Sequence, residues 1–359
     1  MESKFRILVI NPGSTSTKIA VFDNEQQIFE ETLRHSTNEL EVFDTILEQY
    51  TFRKEAIISA LEERKIELSS LSTIIGRGGI LKPIEGGTYI LEDNLIEALR
   101  VGAMEKGHAC NLAGLIADEI AKELDIKAYI VDPPCVDELK DIARITGLEG
   151  TSRISMFHAL NQKAVARRVA KKIGKRYEEC NFIIAHVGGG ISIGAHKKGK
   201  VIDVNNALDG DGPFSPERSG ELPTGELVDL CFSGKYTKQQ VKKLLAGKGG
   251  IVSYLGINDV RVVQEMIENG DKKATLIYEA MVYQVAKAIG AMATVLMGEY
   301  DRIVLTGGIA YSKMFSEKLR NRISFLGDFE VFPGEDELIA LAEGGLRILT
   351  GEEKAKIFK

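Results

Sequence analysis

Three glycine-rich segments stand out because each can present backbone amides or hydroxyls where an apolar run ends. The first, Asn11-Pro12-Gly13-Ser14-Thr15-Ser16-Thr17-Lys18, joins hydroxyls, uncovered amides and a lysine charge, a set that can donate to phosphate oxygens. No glycine-lysine loop opens a helix here, and the alternation KIAVFD predicts a strand, so a Walker loop is excluded and a polar turn is the competing reading. The second, His186-Val187-Gly188-Gly189-Gly190-Ile191-Ser192-Ile193-Gly194, needs close backbone approach, with His186 at a strand end. Ile193 stands where a dinucleotide fingerprint requires glycine. The third, Leu305-Thr306-Gly307-Gly308-Ile309-Ala310-Tyr311-Ser312, predicts a strand, a Gly-Gly turn and a helix start, whose amides favour an anion. One such turn says little. Three in an acidic chain point to nucleotide phosphates.

Charged residues fall at matching places. Arg77 lies in Gly76-Arg77-Gly78-Gly79 after a strand pattern, and Arg218 in the proline-stiffened loop Pro213–Gly220. A planar guanidinium suits two-pronged recognition of carboxylate or phosphate, although either arginine alone serves a salt bridge equally well. Asp132 closes the run AYIVDPP, where α/β sites place acids and where a capping role competes. His158, beside Phe157, begins a helical pattern, and on its own reads as structural. Cys110, Cys135, Cys180 and Cys231 form no CxxC, and His35, His108, His158, His186 and His196 form no HExxH. Reduced, partly buried thiols and no zinc site are expected.

Strands must end beside these residues, and the pattern supplies them. Ile7–Ile10, Thr73–Ile75, Ala128–Val131, Phe182–His186 and Arg302–Leu305 read as short buried strands. Amphipathic stretches at Asn94–Leu99, Ala109–Leu124, Phe157–Ile173 and Ala274–Met297 read as helices, so the class is α/β. A weak repeat relates residues 7–23 to 183–204 at a displacement of 176, with Ser16 opposite Ser192. Duplication would set the two hairpins facing each other across a central cleft. The expected seam is Thr146–Arg153.

The 359 residues suggest two domains at ~150 each. Hydrophobic residues make up 44% and charged residues 27%, with a net charge of −6 and both signs interspersed. That balance excludes nucleic-acid binding through a basic stripe and a polybasic membrane contact. The longest uncharged apolar run, Ala288–Gly298, falls short of the ~18 residues of a spanning helix, and MESKFRILVI lacks a signal-peptide layout. A soluble, cytoplasmic protein is expected.

The order NPGSTSTK, GRGG, GHACNL, VDPP, FHALNQKA, HVGGGIS, ERSG, NDVR, TGGI and PGEDELIALAEGG resembles the acetokinase family from about Arg6 to Arg347. The resemblance implies two duplicated ribonuclease-H-like (actin-like ATPase) domains around a central nucleotide cleft. They would span 1–150, completed by the C-terminal helix about 338–359, and 151–337. It also implies a homodimer or higher homo-oligomer, and reversible phosphoryl transfer between ATP and a short carboxylic acid, giving an acyl phosphate and ADP. Carried over by motif, Arg77 and Arg218 hold the carboxylate and the transferring phosphoryl. Asp132 orients an arginine or metal-bound water, and His158 stabilises the transition state. Asn11, Ser14, Ser16 and Lys18 form the first phosphate hairpin; His186, Gly188, Gly189 and Gly190 form the second. Asp259, Arg261, Gly307, Gly308, Ile309 and Ser312 match nucleotide-binding stretches. Mg2+ would be held by Asn11 and by Asp336 or Glu337; counting back from Leu338 favours Asp336.

Acetate kinases carry a longer turn, with valines and a histidine, where Arg77 here meets Gly78-Gly79 directly. They also have glycine-threonine where this chain has Pro216-Glu217. Less bulk beside the acyl group implies a larger pocket, and each buried methylene is worth ~0.8 kcal/mol. Butyrate or isobutyrate is therefore expected ahead of acetate. A propionate, acetate or branched-chain acid kinase, a sugar kinase and a nucleotide-driven clamp are the alternatives.

Overall fold

Apolar runs buried on both faces make the central strands. Ile7, Leu8, Val9 and Ile10 are fully buried in β1 (Arg6–Pro12), as expected for a sheet covered on both sides. The computed structural model describes residues 4–106 and 108–359, so Gly107 of the GHACNL motif lies outside the described residues. The chain divides into two units, Met1–Val136 with Asp336–Lys359, and Asp137–Glu335.

In the first unit β1 pairs antiparallel with β2 (Ser16–Asp23), and β2 with β3 (Gln26–Arg34). On the other side β4 (Thr73–Arg77) runs parallel to β1, and β6 (Ala128–Val131) parallel to β4. A short β5 (Thr88–Ile90) completes the order β3-β2-β1-β4-β6-β5. The second unit repeats the plan with β7 (Asn181–Val187), β8 (Ile191–Lys197), β9 (Lys200–Val204), β10 (Arg302–Gly307) and β11 (Phe329–Pro333). Its order, β11-β10-β7-β8-β9, repeats two antiparallel and two parallel pairings and, among the described residues, lacks a counterpart of the antiparallel β5–β6 pair. Duplication is thus visible in topology. The hairpins differ at their turns: Pro12 pairs with Thr17, whereas Val187 pairs with Ile191. Ser192 therefore lies opposite His186 within its hairpin, while Ser16 stays beside the first turn. The sequence match of these two serines is not a structural one.

Helices cover both sheets. Leu112, Ile116 and Ile120 of the helix Cys110–Glu123 join Leu8, Ile74 and Ile130 in the first core. In the second, Tyr278, Met281, Val285 and Ile289 of the helix Lys272–Val295 pack with Ile183, Ile193 and Ile303. The helix Ala159–Lys172 adds Val165 and Val169 against Phe182, Ile184 and Val304. After the second unit, the helix Glu337–Leu349 returns to the first sheet. A Cβ at Gly345 would sit 2.8 Å from Ile75 Cδ1, so only glycine lets this helix lie so close.

The break at Val136/Asp137 precedes the TGLEGTSR stretch and position 150 because residues 137–153 are bound to the second unit. Lys163 Nζ meets Glu138 at 2.8 Å, Lys140 N donates to the Ile202 carbonyl, and Arg153 pairs with Asp203 at 2.8 Å. Cys110, Cys135 and Cys180 are buried and Cys231 is exposed, all as free thiols. Among the described residues no helix is long and apolar enough to cross a membrane.

Candidate active site

In the first unit the chemistry gathers where β1 and β4 end. Asn11, nearly buried, donates from Nδ2 to Glu337 Oε2 at 2.8 Å. Arg77 closes β4 and forms an ion pair with Glu337, while its guanidinium reaches Asn11 Oδ1 at 3.5 Å. Asn11, Arg77 and Glu337, 326 residues apart at the extremes, thus form one polar cluster. Ser14 and Lys18 are exposed and Ser16 is half-buried. Asp132 is buried with φ 37°, a strained value for a residue with a side chain, and its Oδ1 accepts from Gly87 N at 2.7 Å.

Beneath the first hairpin lies a residue that sequence reasoning missed. Arg53, fully buried on the helix Gln49–Glu63, donates to the Ser14 carbonyl at 2.9 Å, the Ser16 carbonyl at 3.0 Å and Thr17 Oγ1 at 3.0 Å. Gln49 Oε1 accepts from it twice. Every one of these acceptors is neutral, and burial pulls the Arg53 pKa down to about 10. His35 Nε2 lies 2.9 Å from Thr17 Oγ1, and burial together with Arg53 lowers its pKa. The signal was available: Gln49, Arg53, Ile57 and Leu61 recur every four residues on the buried stripe of the helix.

The second unit gathers its own set. His158, the residue before the helix Ala159–Lys172, stacks on His186 with centroids 3.7 Å apart and planes 8° from parallel. His186 Nδ1 meets Asn161 Oδ1 at 2.7 Å, and Asn161 Nδ2 donates to the carbonyls of Gly334 and Glu335. Those carbonyls fix the amide orientation, so His186 donates from Nδ1. Among the described residues its Nε2 is buried without a hydrogen-bond partner, 3.5 Å from Glu335 Oε1. Arg218 donates to the Ala207 carbonyl at 2.7 Å and lies against Gly190, where any side chain would overlap the guanidinium. Ser215 Oγ ties the arginine loop to the Gly189 carbonyl at 2.6 Å, and burial lowers the Arg218 pKa. His186, Gly188, Gly189, Gly190 and Arg218 are therefore neighbours.

The remaining expected residues sit further along the same unit. Gly307 ends β10, and Gly308 and Ile309 lie in a 3-10 turn. Ser312 caps the helix Lys313–Ile323 by accepting from Phe315 N at 3.0 Å, so the helix begins only after it. Asp259 caps the helix Val260–Glu268 and pairs with the exposed Arg261 at 2.6 Å, which holds the Asp259 carboxyl at about 2. Gln264 of that helix donates to Ser312 Oγ.

Of the three clustered acids, Glu337 is the one that reaches Asn11; Asp336 takes a left-handed φ of 41° just before the helix, and Glu335 faces His186. Asn11 and Glu337 carry hard oxygens of the kind Mg2+ takes, engaged here with Arg77 and with each other. Among the described residues no three His, Cys, Asp or Glu side chains form a metal cage, and Mg2+ does not require one, since it keeps several waters.

Residues 146–355 match the acetokinase family. The whole chain is 57% identical over 355 residues, 99% of it and 100% of the relative, to butyrate kinase 1 of Clostridium acetobutylicum. The chain belongs to the acetokinase family. A probable butyrate kinase of Clostridium botulinum (strain Alaska E43 / Type E3) is 54% identical over 99% of each chain. The acetokinase fold is evident as well. The Porphyromonas gingivalis acetate kinase structure superposes with a TM-score of 0.81 at 21% identity, covering 96% of this chain and 100% of that one. A Francisella tularensis propionate kinase gives 0.74 at 18% identity, covering 95% and 98%. The expected pair of duplicated actin-like α/β domains is the fold of this chain.

Proposed function

We propose that the chain is a butyrate kinase, transferring the terminal phosphoryl group of ATP to butyrate to give butanoyl phosphate and ADP, reversibly. The observation that carries this reading is its near-full-length identity to butyrate kinase 1. Chemistry supports it. A carboxylate with a pKa of ~4–5 is ionised at neutral pH, so no general base is needed. What the reaction needs is neutralisation of two anions and support for charge on the moving phosphoryl.

Arg77 and Arg218 supply that charge in forked form, towards the carboxylate and the phosphoryl. The hairpin at Ser14–Lys18 and the turn at Gly188–Gly190 offer donors to phosphate oxygens. The Ser14 and Ser16 carbonyls are already committed to Arg53, which leaves that loop its amides and hydroxyls to give. His158 donates to the transferring group, and Asp132 holds the Gly87 turn beside the end of β6. Gly307, Gly308, Ile309, Ser312, Asp259 and Arg261 take the nucleotide. Asn11 and Glu337, with Asp336 beside them, would hold Mg2+, which would supply positive charge to the phosphate oxygens. Isobutyrate is the second acid expected, and the enzyme works as a cytoplasmic homo-oligomer.

Trapping with hydroxylamine tests the reaction class. ATP, Mg2+ and butyrate should yield the acyl hydroxamate. A phosphorylated sugar in place of it, or ATP hydrolysis without an acyl product, would refute the proposal.

A further inference from the structure

A buried line of polar side chains runs from His158 through Ser192 and Gln162 to His196 and Tyr177. Tyr177 OH lies 2.7 Å from His196 Nδ1, and His196 Nε2 lies 2.9 Å from Gln162 Oε1. Gln162 Nε2 lies 2.8 Å from Ser192 Oγ, and Ser192 Oγ lies 2.9 Å from His158 Nδ1. Gln162, Ser192 and His196 are fully buried, so each proton must have an assigned acceptor.

Donor counting fixes the direction of every bond. Gln162 Nε2 also faces the Ser192 carbonyl at 3.0 Å, and only an N–H can meet a carbonyl oxygen, so the amide orientation is settled. Its Oε1 can only accept, hence His196 carries a proton on Nε2. Burial, with Lys163 and Arg167 nearby, holds His196 well below its ordinary pKa. The neutral ring must then accept at Nδ1 from the Tyr177 hydroxyl. At the other end, Ser192 Oγ has two lone pairs, facing Gln162 Nε2 at 2.8 Å and the His158 backbone N–H at 3.4 Å. Its own proton is left for His158 Nδ1.

We infer that Tyr177, His196, Gln162 and Ser192 form a one-way hydrogen-bond chain that holds neutral His158 in the tautomer with its proton on Nε2. The four are positioning residues. They keep an N–H donor on the imidazole edge away from Ser192, as an orienting partner on one ring nitrogen fixes what the other can do. The consequence for turnover rests on His158 acting in the reaction proposed above; the tautomer itself does not.

Long-range proton–nitrogen spectra of the full chain, labelled with 15N-histidine and assigned for His158 against His158→Gln, read the tautomer directly. At pH 7.5 His158 and His196 should both show a protonated Nε2 and a bare Nδ1. A proton on Nδ1 of His158, or an averaged mixture, would overturn the chain. Gln162→Glu puts an acceptor where the donor was, so the Ser192 proton should turn to the new carboxylate and His158 should switch to Nδ1–H. In that variant kcat should fall at least about tenfold while KM for ATP and butyrate stays within about twofold. A reversed tautomer with unchanged kcat would support the chain and remove His158 from the reaction, which separates the two failures. Should the variant not fold, the wild-type spectrum still decides.

Discussion

The two hairpins share a plan and differ in what backs them. In each, a hydroxyl meets a histidine at 2.9 Å, Thr17 with His35 and Ser192 with His158. In each, a helix side chain grips both that hydroxyl and a hairpin carbonyl. For β1–β2 the backing group is Arg53, a buried cation among neutral acceptors; for β7–β8 it is Gln162, a neutral amide in a chain of neutral groups. A buried charge without a carboxylate is costly unless it serves electrostatics, since desolvation is not repaid locally. The first hairpin is thus backed by a buried cation, and the second by a neutral amide that only hydrogen-bonds.

The comparison breaks most visibly at the arginines common to both units' candidate sites. Arg77→Ala and Arg218→Ala should each lower turnover by about 100-fold or more, because a preorganised charge is lost from the transition state. Lysine at either position should rescue poorly, lacking the fork. Near-normal turnover in a folded variant would remove that arginine from the reaction.

The histidines come next. His158→Ala should lower kcat by at least about tenfold with little change in ATP affinity, whereas His35→Ala should leave kcat within about twofold. Parallel melting curves separate a packing role, which would lower Tm in the His158 variant with the rate intact. Arg53→Gln sharpens the contrast further. Losing the buried cation should raise KM for ATP by about tenfold and spare kcat, the opposite of what Gln162→Glu should do. Equal losses in kcat and unchanged KM would mean that the two hairpins are not differently built.

Sequence reasoning reached the strands well because their signal is local. Ile7–Ile10 and Ala128–Val131 are apolar runs closed by glycine or proline, and both are strands. The two hairpins were legible for the same reason. Arg53 was not, because a lone arginine in QYTFRKEA looks like a solvated charge until its buried stripe is noticed. The line from Tyr177 to His158 joins residues that are unremarkable singly and meet only through folding. The choice between Asp336 and Glu337 stayed open in the sequence because adjacent acids differ only in which way a helix start turns them.

The smallest expected effect is on stability against pH. His35 and His196 have folded pKa values below the ordinary 6.5, so the unfolded chain takes up protons first as pH falls. Stability should be complete above about 6.5 and decline as pH drops below it towards the folded values. Melting between pH 7.5 and 5.5 checks this: His196→Gln should flatten the decline, and an unchanged slope would deny that His196 is buried neutral.

The central claim is that the chain acts on a short carboxylate longer than acetate. Measuring kcat/KM for acetate, propionate, butyrate, isobutyrate and valerate with ATP tests it most directly. Butyrate or isobutyrate should exceed acetate by more than about tenfold, as two buried methylenes at ~0.8 kcal/mol each require. Acetate or propionate equal to or better than the four-carbon acids would contradict the account.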